Sequence, residues 1–271
     1  MSADALRLGP LVFSWSVLLA LATTWLGLWV AGRLARRAGL HLGRTPETAA
    51  LVGFVAARLG FVWQFAGAYL AQPWTLLDLR DGGWEPVVGF AAAWLYGLSR
   101  MTRQPATRRP LRWGLVAATA VWLCGTLALV LARSEGQRMP ALALQALDNG
   151  AQVELTGFVG RHTVVNLWAT WCPPCVREMP VLQAAQQQHP DVHVVFVNQG
   201  ESAEKVKAWL AGRGLALQNV LLDRRGQSTA ALDAAGLPTT LFYDAQGRLV
   251  ARRIGELSSA TLAEQLARIR P

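Results

Sequence analysis

The stretch "NLWATWCPPCVREMP", residues 166–180, sets two cysteines, Cys172 and Cys175, on either side of two prolines. A disulfide exchanges only when a thiolate attacks it, so the attacking cysteine needs solvent access and a pKa lowered from about 8.5. A helix N-terminus supplies both unpaired N–H groups and a partial positive charge. Pro173 and Pro174 suit a first helical turn, where a missing N–H costs nothing. The spacing therefore predicts an exposed Cys172 at a helix start as nucleophile. Cys175, one turn inward, is the resolving thiol. Two thiolates also suit Cu(I), and a copper-carrying dithiol is the alternative chemistry. The third cysteine, Cys124, stands alone in "VWLCGTLALV" and reads as a small apolar packing residue. With no further Cys/His cluster the chain offers no zinc site, and no metal or cofactor is expected.

The elements around the dithiol read as an α/β domain over 141–271. "ALALQALDNGAQVEL" gives two strands about an Asp148-Asn149-Gly150 turn, and "TVVNLWA" a buried strand feeding the dithiol. A helix runs from there to about His189, and "DVHVVFVN" is a second central strand. A helix at 202–212, a short strand at "NVLLD", a short helix near 228–235, the hairpin of "GLPTTLFYD" and "RLVARRIG", and a last helix at 258–269 follow. C-x-x-C at the first strand–helix junction of such an order indicates a thioredoxin-like α/β sandwich. His162, His189 and His193 show no ligand spacing.

"VVNLWATWCPPCVREMP" together with "GLPTTLFYDAQGRLV" closely resembles the membrane-anchored TlpA/ResA branch of thioredoxin-like proteins, over about residues 140–270. The resemblance implies an extracytoplasmic oxidoreductase that reduces protein disulfides of the cytochrome c or copper-site maturation kind. It implies that Pro238 is a cis-proline facing the dithiol, where a substrate chain pairs beside it. Leu237, Thr239, Trp171, Pro173 and Pro174 are the expected docking surface, and Trp168 either joins it or packs in the core. Thioredoxins proper bury an aspartate where this chain has Asn166. Glu178, three residues after Cys175, matches a family glutamate and lies on the same helix face. It is expected to accept or relay the Cys175 proton, the alternative being a solvated helical glutamate.

Ahead of this domain lie 132 residues of mostly apolar sequence. The chain has 271 residues, 12 tryptophans, a net charge of +9 and a mean hydropathy of +0.26. Residues 1–132 hold 12 Lys/Arg against 5 Asp/Glu, and the remainder 14 against 12. The positive excess lies between apolar segments, as membrane topology signals do, and no nucleic-acid surface is indicated. Helices are expected at about 10–32, 48–71, 86–99 and 113–132, a polytopic membrane bundle. Arginines 33, 36, 37 and 44 follow the first; 100, 103, 108, 109 and 112 follow the third; Arg80 faces Asp78, Asp81 and Glu85 after the second. The positive-inside bias makes both basic loops cytoplasmic, so both termini are periplasmic at a bacterial inner membrane. Residues 133–140, "RSEGQRMP", read as a linker reaching at most ~30 Å, which keeps the redox domain by the bilayer.

"ARLGFVWQFAGAYLAQPWTLLDLRDGGW" and the glycines that follow resemble the first part of prolipoprotein diacylglyceryl transferases. That resemblance puts Val87 where the family has its catalytic histidine, and valine transfers no proton. Arg58, a charge at membrane depth, is either a residual lipid-headgroup ligand or an arginine paired within the bundle. Three functions stay open: a membrane-tethered disulfide reductase, a Cu(I)-binding or docking module, and a lipid-modifying transferase with an accessory redox domain. The first acts on extracytoplasmic thiol proteins. It needs a separate membrane electron donor of the DsbD or CcdA type, because no second cysteine pair carries electrons through this chain.

Overall fold

A computed structural model describes residues 5–8, 11–71, 82–132 and 137–270. The loop charges at 78–81 and the first part of the expected linker, 133–136, lie outside those residues. The chain forms two compact units, one of helices and one built on a sheet.

A two-stranded sheet of β1 (Ala5–Leu8) and β2 (Leu11–Ser14) precedes the helices. Helix α1 (Trp15–Arg37) starts where Ser14 Oγ accepts the Val17 N–H, and it carries Arg36 and Arg37 in its last turn, favourable to the helix dipole. It therefore begins five residues later than expected, because 11–14 is extended. The segment expected as one helix over 48–71 is two, α2 (Thr45–Gln64) and α3 (Ala66–Ala71), divided at Phe65, whose ψ of 33° leaves the helical region. Helix α4 (Pro86–Arg103) opens on a Glu85 cap with Pro86 in its first turn. After a 3-10 turn at Pro105–Thr107, α5 runs over Arg108–Ala132. Both extend past the apolar segments at 86–99 and 113–132, since arginine is a good helix former and hydropathy does not mark where backbone bonding ends.

Helix α1 packs along α5, and α2 along α4. Each pair meets at glycines. A Cβ on Gly114 would sit 2.9 Å from the Gly27 carbonyl oxygen, and one on Gly89 2.8 Å from that of Gly53. Small residues at a crossing let backbones approach closely, the usual solution where the surroundings are apolar. Trp94 Nε1 donates to Thr119 Oγ1 at 3.0 Å, joining α4 to α5. Leu21, Trp25, Leu51, Trp63, Leu95 and Leu131 stand exposed on the outside. Among the described residues two helices, Trp15–Arg37 and Pro105–Leu131, are long and apolar enough to cross a membrane.

The second unit is a seven-stranded sheet in the order β4-β3-β7-β6-β5-β8-β9. Strands β5 (Thr163–Trp168), β6 (His193–Gln199) and β7 (Val220–Asp223) are parallel, and β3 (Ala143–Ala146), β4 (Gln152–Glu154), β8 (Thr239–Tyr243) and β9 (Leu249–Ile254) add antiparallel edges. Every residue of β5 is buried, as a strand covered on both faces must be. Alternate residues serve two cores. Val164, Phe196, Leu222 and Phe242 meet α6 (Pro173–Gln188), α7 (Ala203–Gly212) and α9 (Ser259–Ile269), while Val165, Leu167, Val197 and Leu241 face Leu142, Leu155 and Leu232. A five-residue helix α8 (Gln227–Ala231) precedes β8. The expected linker joins this fold at its end. Met139 N–H donates to Gly247 O and Leu249 N–H to Gln137 O, both at 2.8 Å, so residues 137–140 are structured.

Candidate active site

Strand β5 delivers the chain to the start of α6, where Cys172 is the capping residue and Pro173 and Pro174 fill the first turn. The Cys175 N–H donates to Cys172 Sγ at 3.4 Å, and the two cysteines are joined in a disulfide. Cys172 is 4% exposed and Cys175 fully buried, which corrects the expectation of an exposed nucleophile. The exposed group is its neighbour Trp171, at 64%. Trp168 ends a strand buried on both sides and packs against Trp209, ring centroids 5.2 Å apart, so it belongs to the core.

The Leu237–Pro238 bond is cis. Thr239, the next residue, pairs with Leu167 across β8 and β5, which sets Pro238 at the sheet end from which the chain runs to the dithiol. Of the residues expected to receive a partner, Trp171 and Pro173 are exposed, and Pro174 and Leu237 half-buried. Thr239 is fully buried with its hydroxyl on the Gly236 carbonyl at 2.6 Å, so its side chain supports the loop from within.

One turn along α6 from Cys175 lies a carboxyl. Glu178 is fully buried, and a solvated glutamate is ruled out. Asn166 Nδ2 donates to its Oε1 at 2.7 Å and to Thr240 Oγ1 at 2.9 Å, and the Leu257 N–H donates to its Oε2 at 2.9 Å. Burial pushes the Glu178 carboxyl up to about 8. The Leu257 and Asn166 donors oppose that rise, nearby Glu256 adds to it, and Arg253 offsets part. A buried carboxyl pushed up to about 8 and one helical turn from Cys175 is chemically able to exchange a proton with that thiol.

The Redoxin family matches residues 134–266. The chain is 33% identical over 141 residues to the thiol-disulfide oxidoreductase ResA of Bacillus subtilis, covering 51% of this chain and 77% of that one. The chain belongs to the ResA/DsbE-type thiol-disulfide oxidoreductases. It is also 30% identical to the thiol:disulfide interchange protein DsbE of Vibrio cholerae, over 49% of this chain and 71% of that one. A thioredoxin family thiol:disulfide interchange protein of Chlorobium tepidum superposes with a TM-score of 0.44 at 22% identity, over 50% of this chain and 97% of that one.

Within this oxidoreductase domain a second carboxyl, which sequence reasoning missed, steadies the dithiol loop. Glu201, just past β6, accepts from the Thr170 N–H at 2.7 Å, the Thr170 hydroxyl at 2.5 Å and Asn198 Nδ2 at 2.9 Å, and pairs with Lys205 at 2.7 Å. Burial alone would raise this carboxyl, but Lys205, Thr170 and Asn198 outweigh it and hold it below the usual range. Thr170 is two residues before Cys172, so Glu201 pins the backbone that presents the disulfide. Nothing local in "NQGES" announces this. A similar buried set around Asp223 caps α8: Asp223 accepts from the Gln227 and Ser228 N–H groups, and Ser228 bonds Gln199.

The helical unit lies outside the matched family region. There Arg58 is buried, its Nη1 donates to the Gly83 carbonyl at 2.9 Å, and its guanidinium stacks 5.3 Å from the Tyr69 ring centroid. The same turn is tied by the Glu85 N–H to Ala57 O at 2.9 Å, and a Cβ at Gly83 would run into the Phe61 ring. Val87 is exposed at the start of α4. Cys124 is exposed and free, and among the described residues no group of three His, Cys, Asp or Glu could hold a metal.

Proposed function

We propose that the chain is a membrane-anchored reductant of extracytoplasmic protein disulfides. The observation that carries this is the buried Glu178 carboxyl set on the helix that begins with the Cys172–Cys175 disulfide. In the reduced enzyme the Cys172 thiolate attacks a substrate disulfide, a mixed disulfide forms, and one substrate thiolate leaves and takes a proton. Cys175 then loses its proton to Glu178 in its carboxylate form, the minority form at neutral pH for a carboxyl pushed up to about 8, and attacks Cys172 Sγ. That second step breaks the mixed disulfide, releases the second substrate thiol and closes the Cys172–Cys175 bond. Two electrons pass to the substrate. The substrate backbone docks beside cis-Pro238 between Trp171, Pro173 and Leu237.

The oxidised enzyme regains its electrons from a separate membrane dithiol donor of the DsbD or CcdA type, since this chain holds three cysteines and a single C-x-x-C. The helical unit acts as a four-pass anchor. Support comes from two helices of spanning length and apolarity, α1 and α5, which pack on each other and touch α2 and α4 to make one bundle, and from the arginines of the two basic loops. Arg58 serves that anchor as a tie for the Gly83–Glu85 turn, which leaves the transferase-like scaffold without either a proton-transferring residue at Val87 or an open headgroup ligand.

Replacing Cys175 by serine stops resolution, so membranes should yield secreted or periplasmic thiol proteins trapped on Cys172 and released by reductant. If nothing is trapped while Cys172 still alkylates, and the native dithiol binds Cu(I) stoichiometrically, the reductase reading is wrong and the copper reading stands.

A further inference from the structure

Three consecutive residues after β9 each grip a different part of the redox site. Gly255 donates its N–H to the carbonyl of cis-Pro238 at 2.9 Å. Leu257 donates its N–H to Glu178 Oε2 at 2.9 Å. Between them Glu256 Oε2 receives two bonds from the residue just before Glu178 on α6, Arg177 Nε at 2.8 Å and Nη2 at 2.6 Å. Gly255 takes a φ of +95°, which a side chain would resist, so the turn can offer successive N–H groups on opposite sides. The Arg177 side chain is 44% exposed and that of Glu256 17%. The ion pair therefore lies at the surface, while the bond it flanks is buried.

We propose that Arg177 and Glu256 are positioning residues for Glu178. Their ion pair clasps the Gly255–Leu257 turn to α6, which keeps the Leu257 N–H on the Glu178 carboxyl and ties that carboxyl to the cis-Pro238 loop. Arg177 touches neither sulfur and acts through the turn. The groups facing Glu178 are Asn166 from β5, backed by Thr240 of β8, Arg253 of β9, Glu256 and the Leu257 N–H of the turn, and Cys175 one turn back on its own helix. With the clasp open, Leu257 donates less often and an unpaired Glu256 stays close, and both changes disfavour the Glu178 carboxylate. The inference rests on the proton-relay reading of Glu178 only for its bearing on catalysis, since the clasp itself is a matter of geometry.

The test uses the full chain in detergent or nanodiscs, comparing wild type with Arg177→Gln and Arg177→Lys. Amide hydrogen exchange is read at Gly255 and Leu257, and the Glu178 side-chain carbon is followed through a pH titration. In Arg177→Gln both amides should exchange about three- to fivefold faster, the factor an exposed ion pair is worth, with the rest of α9 unchanged. The Glu178 midpoint should rise, and Arg177→Lys should restore most of both. Wild-type exchange and midpoint in Arg177→Gln would overturn the proposal, as would uniform acceleration through β9 and α9. If the midpoint moves but the pH profile of Cys172 alkylation does not, the relay reading of Glu178 fails and the clasp survives.

Discussion

At neutral pH Glu178 mostly holds its proton in the folded chain and loses it in the unfolded one, because burial pushes the carboxyl up to about 8 from its ordinary value of 4.5. The folded state then binds one more proton across that interval. The stabilisation is complete below the unfolded value and is lost as pH rises to about 8, by at most ~1.4 kcal/mol per pH unit. His193, whose pKa burial and Arg161 lower, works the other way over its own interval. Comparing wild type with Glu178→Gln cancels it. Denaturant unfolding of the oxidised protein should show wild type losing stability relative to Glu178→Gln between about pH 5 and 8. Equal slopes would place an ionised Glu178 in the fold. Glu201 has the opposite sign, since its lowered carboxyl stabilises above its unfolded value and the benefit disappears as pH falls below it. Which glutamates exist is plain from "CVREMP" and "NQGES"; that one is protonated and the other ionised is not, because the first state comes from burial by distant segments and the second rests in part on Thr170, 31 residues away.

The elements follow local pattern more closely. Strands β5, β6 and β8 are apolar runs that end within one residue of the expected segments, and α6 starts at the cysteine pair as two first-turn prolines require. Apolar runs located the helices of the first half, but their ends were legible only to within several residues, since arginine extends a helix beyond its apolar face. Their pairing was not legible. The α2–α4 crossing rests on Gly53 and Gly89 with Ala57 and Ala93 alongside, and a Cβ on Gly89 would stand 2.9 Å from that of Ala57. Gly89→Val must push these helices apart, at a cost of roughly 1–3 kcal/mol. Thermal unfolding of the purified protein in detergent should show the helical transition at lower temperature, with the disulfide-bearing unit unaffected. A shared shift of both transitions would mean that the two units unfold as one.

For the whole molecule, the arrangement of charge makes a claim about sidedness. The arginines at 33–44 and 100–112 lie in the helical half, and residues 137–270, which carry the redox unit, follow the last helix in the sequence. In a chain whose three cysteines are alanine, a single cysteine at Gln137 should react with a membrane-impermeant maleimide on intact spheroplasts. One at Arg103 should react only after permeabilisation. Reaction at both positions on intact spheroplasts would exclude the four-pass arrangement.

The sequence by itself determined the chemistry and its address: a dithiol at a strand–helix junction and apolar helices ahead of it. These are local properties, written in the spacing of a few neighbouring residues and in periods of two and 3.6. Tertiary structure alone decided how the site is tuned. It buried Cys172 and Glu178, brought Glu201 to Thr170 across 31 residues and Leu257 to Glu178 across 79, and turned Arg58 onto a turn of its own unit. Burial and the choice of hydrogen-bond partner arise where distant segments meet, and no local pattern records which segments those will be.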